Sequence, residues 1–449
     1  MINARAVVLD ILMETEKGNE YSNILIRQVL DKYDYLEIQD KAFIKRLAEG
    51  TVERQITLDY VLNQFSKTPV DKMKTLIRCL LRMSVYQILY MDAVPDSAVC
   101  NEAVKLAEKR HFGSLKGFVN GVLRNISRSR EQIRWPEESV DWKAALSVRT
   151  SMPLTILNIW ETEYGKELTS LMAEASLDVK PVCIRMDERL SAKEQEVLLD
   201  AWTQKGIRVK QSEYLPYAYF CEALEGVPKI PGFKEGKITV QDVSSMLVTE
   251  CAAIKEGDFV IDVCAAPGGK SLHAASRTGM SGTVESRDLT EYKVKMICDN
   301  ADRMHLPNIH TTIWDATLPD ESMKEKADVL LLDVPCSGLG IIGHKRDIKY
   351  HVTEENLLQL QDLQKEIAAV CCDYVRKGGT VLYSTCTIHQ EENEKMALWM
   401  AENLNLEFDS LDPYLPRQLI SEQTAQGMLQ LFPGKHDCDG FFLARFQKK

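Results

Sequence analysis

Hydrophobic positions recur at helical spacing through the first 134 residues. Val7, Val8, Ile11 and Leu12 follow it, as do Leu76, Leu80, Met83 and Gln87 with Leu81, Val85 and Ile88 beside them. Pro95 opens a further segment with Asp96 or Ser97 as N-cap for a helix through Lys109, and another helix is predicted from about Ser114 to Arg128. The pattern predicts an all-α bundle. Trp135-Pro136-Glu137-Glu138-Ser139 reads as a linker, and 141–176 is again helical. The period then changes. Pro181 to Arg185, Ile207 to Val209 and Tyr217 to Phe220 read as strands, and Ser191 with Glu194 forms a capping box opening a helix to Gln204. Beyond Gly236, short apolar runs at 259–263, 283–287, 309–313, 328–333 and 380–385 alternate with helical stretches at about 270–277, 291–304 and 354–376. That alternation predicts a doubly wound parallel sheet, with Gly440 to Phe446 returning as an antiparallel hairpin strand. The expected organisation is a helical bundle over 1–138, a small α+β module over 139–236 and an α/β domain over 237–449.

The 449 residues are 45% hydrophobic and 27% charged, a globular composition. No run approaches the roughly 18 apolar residues of a membrane span. Met1-Ile2-Asn3-Ala4-Arg5 lacks the basic-then-apolar design of an export signal, so a cytoplasmic protein is expected. No Cys-x-x-Cys pair occurs and the histidines are not spaced to complete a zinc set, so no metal is expected. Cys79, Cys183, Cys251, Cys371 and Cys372 read as small buried apolar residues. The net charge of −11 argues against indiscriminate nucleic-acid binding over the whole surface. The acidic excess lies beyond residue 140, however. Before it, Lys105, Lys109, Arg110, Lys116, Arg124, Arg128, Arg130 and Arg134 meet only Glu108 and Glu131, a candidate phosphate-binding face as readily as a solvated one.

Two other cysteines stand where predicted strands end. Cys336 follows Val329 to Leu332 in Asp333-Val334-Pro335-Cys336-Ser337-Gly338, and Cys386 follows Val381 to Tyr383 in Ser384-Thr385-Cys386-Thr387. Ligands of open α/β sheets bind beyond the carboxyl ends of the strands, so both thiols should open on one crevice. Cysteine is a strong nucleophile once its thiolate is stabilised, and two thiols with Asp333 nearby suggest covalent chemistry with a second acid/base group. The first strand of the set runs into Cys264-Ala265-Ala266-Pro267-Gly268-Gly269-Lys270, a small-residue turn before a helix whose N-terminal amides can face a ligand. Asp288 and Asp315 follow the next two strands, where one carboxylate can grip ribose hydroxyls and the other meet an adenine edge. Without a Gly-x-Gly-x-x-Gly, a nucleoside cofactor is favoured over a dinucleotide.

These motifs, with Gln241-Asp242-Val243-Ser244-Ser245-Met246, Glu391-Glu392-Asn393 and Asp439-Gly440-Phe441-Phe442, resemble those of the NOL1/NOP2/Sun family of RNA cytosine-5 methyltransferases. The resemblance is dense over 236–449. The N-terminal helices resemble the NusB fold, and the pairing is similar to the bacterial 16S rRNA members of the family. The resemblance implies a Rossmann-like class I methyltransferase domain, S-adenosyl-L-methionine as cofactor, and RNA as substrate, namely 16S rRNA, unassembled or partly assembled, met by a monomer. It implies that Cys386 adds to C6 of the target cytosine and C5 then takes the methyl group. Asp333, protonated or sharing a proton, would bond N3/N4, and Cys336 would assist loss of the C5 proton and release. Residues 264–270, Asp288, Asp315 and Asp333 would line the cofactor, Lys270 meeting its carboxylate or orienting Asp333. Lys116, Arg124 and Arg128 are the candidate RNA contacts. The target base must be single-stranded or flipped. Arg287 stands where the family usually has an apolar residue. Gly343-His344-Lys345-Arg346 replaces the arginines and proline that often precede Asp-Ile-Lys, here Asp347-Ile348-Lys349. A tRNA-directed member and a non-catalytic RNA-binding assembly factor are the alternatives.

Overall fold

A computed structural model describes residues 3–18, 20–33, 35–222 and 226–449; Met1 and Ile2 of the segment read for an export signal lie outside it. The chain forms two compact units, Met1–Asp178 with Ile342–Val352, and Val179–Ile341 with Thr353–Lys449. Among the described residues no helix is long and apolar enough to cross a membrane.

The first unit is helical throughout its regular structure. Thr75–Tyr90 is its central helix and is buried along most of its length, which is why apolar residues surround it on nearly every face. Lys116–Arg128 is amphipathic: Val119, Val122, Leu123 and Ile126 are buried, while Lys116, Arg124 and Arg128 are exposed at four-residue multiples. The helices Trp142–Thr150 and Leu154–Ala175 belong to this unit and not to the α+β module expected over 139–236. Their anchor is Thr57, whose amide is donated to Ser151 Oγ at 3.0 Å and whose hydroxyl is donated to the Val148 carbonyl at 2.6 Å.

Ile342–Val352 also packs in the helical unit. Arg346 pairs with Glu49 at 2.6 Å and Glu53 at 2.8 Å, and Asp347 accepts the Ser22 amide at 2.6 Å. Lys349 is 1% exposed and donates to the Glu53 carbonyl at 3.0 Å. Of the ionic side chains in this stretch, Asp347 and Lys349 are buried and Arg346 is half-buried. His344 is exposed.

The second unit holds two sheets on a shared core. The small one is antiparallel, in the order Arg208–Gln211, Ala218–Glu222, Val182–Met186, Ile238–Val240. The Ser191–Glu194 capping box opens the helix Ala192–Gln204 as expected. The strand Ile238–Val240 carries this sheet past the expected limit at 236, pairing Ile184 with Val240. One apolar cluster joins Cys183, Tyr217 and Phe220 to Met246, Leu247 and Leu331. Arg303 closes the seam by donating to the carbonyls of Phe233 and Ile238 at 2.8 and 2.9 Å. With core and hydrogen bonds continuous, the module and the α/β domain are one unit.

The large sheet runs Leu406–Phe408, Phe441–Lys448, Val375–Thr385, Ala327–Asp333, Phe259–Asp262, Thr283–Asp288, Ile309–Ile313, with Met428–Leu431 also on Phe441–Lys448. Its five central and outer strands from Val375–Thr385 to Ile309–Ile313 are parallel, and Phe441–Lys448 returns antiparallel against Val375–Thr385. Successive crossovers leave Phe259–Asp262 in opposite directions, which opens a crevice at the carboxyl ends of Phe259–Asp262 and Ala327–Asp333.

Candidate active site

Neighbouring strands carry the two thiols. Ala327–Asp333 and Val375–Thr385 are parallel, with Asp333 opposite Ser384. Each passes into a turn, and those turns bring Cys336 Sγ and Cys386 Sγ to 3.3 Å. The hydrogen bond with Cys386, and then burial, hold the Cys336 thiol well above the ordinary range. Asp333 closes the same strand: Lys270 Nζ donates to one oxygen at 2.7 Å and Ser384 Oγ to the other at 2.7 Å. Burial opposes the charge of Lys270, but Asp333 more than offsets it and holds the ammonium above its ordinary pKa. Both carboxylate oxygens of Asp333 thus accept a hydrogen bond from a side chain of the site.

The 264–270 turn joins Phe259–Asp262 to the helix Gly269–Thr278. Gly268 sits at φ +105°, a conformation side chains disfavour, and is buried against Ile297. Asp288 ties this turn down, accepting the Ala266 amide at 2.9 Å and the Leu289 amide at 2.8 Å, with Lys293 Nζ at 2.9 Å. A carboxylate has about four acceptor positions, so one, on Oδ2, is left for a ribose hydroxyl. Asp315 forms a turn, accepting the Thr317 amide at 3.0 Å and hydroxyl at 2.7 Å, and these bonds hold its pKa below the usual carboxylate value. Burial pushes the Cys264 thiol up, so it lines the turn as an apolar group. Beneath the turn, Asp262 is fully buried. One oxygen takes the Ser271 hydroxyl at 2.7 Å, the other has no partner, and burial pushes its pKa up to about 7. The orphaned acceptor of Asp262 and the acids on successive strand ends fit the amino-acid and ribose ends of S-adenosylmethionine.

Arg287 is buried. Its guanidinium pairs with Glu285 at 3.1 Å and Asp320 at 2.8 Å and lies over the Trp314 ring. Cys79, Cys183, Cys251, Cys371 and Cys372 are buried thiols. In the basic run, Lys116 pairs with Glu108 at 2.8 Å, Lys105 with Glu102 at 2.8 Å and Arg110 with Asp10 at 2.6 Å, so much of that charge is locally balanced. Elsewhere Glu188, Glu250 and His273 converge. The Arg277 guanidinium already bridges the two carboxylates, 2.8 Å from Glu188.

Sequence reasoning passed over what lies behind the thiols. Glu392 is fully buried and takes the Ser337 amide at 2.9 Å, the Ser337 hydroxyl and Gln364 Nε2 at 2.9 Å. Burial raises its pKa, opposed by these donors. Glu392 was visible only as one letter of a motif. Gln364, inside the amphipathic helix Glu354–Cys371, carried no signal at all.

Residues 250–447 match the family model described as 16S rRNA methyltransferase RsmB/F, and residues 2–128 match the NusB family. "Probable ribosomal RNA small subunit methyltransferase B" of Bacillus subtilis is 35% identical over 100% of this chain and 99% of its own length. The chain belongs to this methyltransferase family. The Synechocystis protein of the same name is 30% identical over 100% of both chains. The crystal structure of PH0851 superposes over 100% of this chain and 99% of its own with a TM-score of 0.82 at 22% identity, which shows the fold. A methyltransferase homolog protein from Pyrococcus horikoshii covers 69% of this chain and 99% of its own with a TM-score of 0.59 at 25% identity.

Proposed function

We propose that this family member methylates C5 of a cytosine in 16S rRNA through a covalent bond between Cys386 and C6 of the base. S-adenosylmethionine, its cofactor, supplies the methyl group when bound. The observation that carries the reading is the pair of thiols 3.3 Å apart on adjacent parallel strand ends, beside the Lys270–Asp333 pair.

Addition of the Cys386 thiolate to C6 pushes electron density to C5 and onto N3/N4 of the ring. Asp333 hydrogen-bonds that edge, and a proton passed from the Lys270 ammonium through Asp333 to N3 neutralises the developing charge and returns by the same route when the ring regains its double bond. Cys336 holds its proton at this stage and donates toward the attacking sulfur, which favours the nucleophilic form of Cys386. Once that sulfur is bonded to carbon it carries no negative charge, and the largest cause of the raised Cys336 pKa is gone. Cys336 then gives its proton to solvent and, as a thiolate, takes the C5 proton; electrons of the C5–H bond form the C5=C6 double bond and the C6–S bond breaks, releasing Cys386 as a thiolate. The helical unit would hold RNA through the exposed face of Lys116, Arg124 and Arg128.

The test is methyl transfer from labelled S-adenosylmethionine to small-subunit rRNA lacking its modifications, with bisulfite sequencing of the product. One protected cytosine is expected. Transfer to bulk tRNA alone would move the substrate and keep the chemistry, and no transfer to either RNA would overturn the assignment.

A further inference from the structure

Two adjacent buried side chains reach the two catalytic turns separately. Glu392 and Asn393 are 0% and 1% exposed. Glu392 grips the Cys336 turn through the amide and hydroxyl of Ser337. Gln364 Nε2 braces both, donating to Glu392 at 2.9 Å and to the Pro335 carbonyl at 2.9 Å. Asn393 grips the Cys386 turn, accepting the Thr385 hydroxyl at 2.6 Å and donating to the Thr387 carbonyl at 3.0 Å and to Gln430 at 2.7 Å. A 2.7 Å contact between the hydroxyls of Ser337 and Thr387 joins the turns in front of the clamp.

We propose that Glu392 and Asn393 are positioning residues that set the separation of Cys336 and Cys386, and so the step in which Cys336 releases the methylated base. The reason is covalent. One peptide bond fixes the two side chains relative to each other, and each is locked to a turn carrying one sulfur. Neither touches substrate. Glu392 faces the Ser337 amide, a donor that must be accepted somewhere in a buried site. Removing the acceptor leaves that turn free to shift, and a displacement of about 1 Å can cost on the order of 10²-fold in rate.

The inference rests on the covalent reading above, and its test separates the two. Glu392→Met keeps chain length and removes both acceptor oxygens. It is expected to bind S-adenosylmethionine as the wild type does, to turn over on the order of 10²-fold more slowly, and to accumulate an RNA–protein adduct resistant to denaturing gels. Glu392→Gln should restore most of the rate, because a rotated amide offers its oxygen to the Ser337 amide and its nitrogen to the Ser337 hydroxyl oxygen. A folded Glu392→Met protein that turns over normally without adduct would overturn the proposal. If that variant fails to bind cofactor, Ser337→Ala decides: adduct accumulation supports the clamp and its absence overturns it. The sulfur geometry is also readable without RNA. Diamide takes two electrons and two protons from the thiols to leave a Cys336–Cys386 disulfide, quantified by peptide mass spectrometry. Slower formation in Glu392→Met than in the wild type supports the clamp, whereas equal rates, or no disulfide in the wild type, sink it. An active Cys386→Ala variant would instead count against the covalent reading, while the diamide rates would still judge the clamp.

Discussion

Lys349 is a basic residue buried where an ammonium is badly solvated, and that makes the helical unit's stability depend on pH. The side chain is 1% exposed; its Nζ donates to the Glu53 carbonyl at 3.0 Å and is 3.5 Å from the Thr150 carbonyl. Burial lowers its pKa from 10.5 to about 7, with Glu53 opposing and Arg54 and Arg346 adding to the drop. In the unfolded chain the amine titrates near its ordinary value. Between pH 7 and that value the unfolded state therefore binds more protons than the folded one, and stability rises with pH. Each pH unit in that window is worth about 1.4 kcal/mol at full difference, and the fold is half-protonated at the lower edge. From pH 7 to pH 9 the gain is about 2 kcal/mol. The assay is urea unfolding followed by circular dichroism, which the helices dominate, for the wild type and Lys349→Met at both pH values. The double difference cancels every other titration common to the two proteins. The wild type should gain about 2 kcal/mol relative to Lys349→Met on going from pH 7 to pH 9. Equal pH dependence in the two proteins would refute the burial argument.

Further outcomes follow from the site and the surface. Cys386→Ala should abolish methyl transfer while leaving S-adenosylmethionine binding within about twofold, because the sulfur acts on the base and not on the cofactor; an active variant would reassign the nucleophile. Cys336→Ala or Cys336→Gly should trap RNA on Cys386 as a slow-migrating, RNase-sensitive band, and a clean gel would remove Cys336 from the release step. Replacing Lys116, Arg124 and Arg128 together by glutamine should weaken RNA binding and reduce the magnitude of the logarithmic salt slope by about 2. An unchanged slope would return that helix face to ordinary solvation.

Much of the site is legible in the chain because it is local. A short apolar run, a turn of small residues and a helix cap lie within ten or so positions, so the strands ending at Asp262, Asp288, Asp333 and Thr385 and the turn at 264–270 could be read directly. Side-chain period alone separated the helical bundle from the strand-bearing half. The domain edges could not be read that way. Helical spacing in 142–175 says that helices form, but Thr57 decides which core they bury against. Ile238–Val240 is three residues long, too short to show a period, and is a strand only because Val182–Met186 offers it a partner. Nothing local marks Asp347 and Lys349 as buried; partners 325 and 199 positions away make them so.

What the sequence by itself determined is the chemistry available: two thiols at strand ends, an acid and a lysine beside them, and a glycine turn for the cofactor. These depend on residue type and on contacts made within a few positions. The tertiary structure decided the distances that let them act together. The 3.3 Å between Cys336 and Cys386 spans 50 positions, and Lys270 meets Asp333 across 63. Parallel pairing of Ala327–Asp333 with Val375–Thr385, and a buried glutamate and asparagine behind both turns, are what close those gaps. No periodicity encodes such contacts, because they form only once the intervening chain has packed.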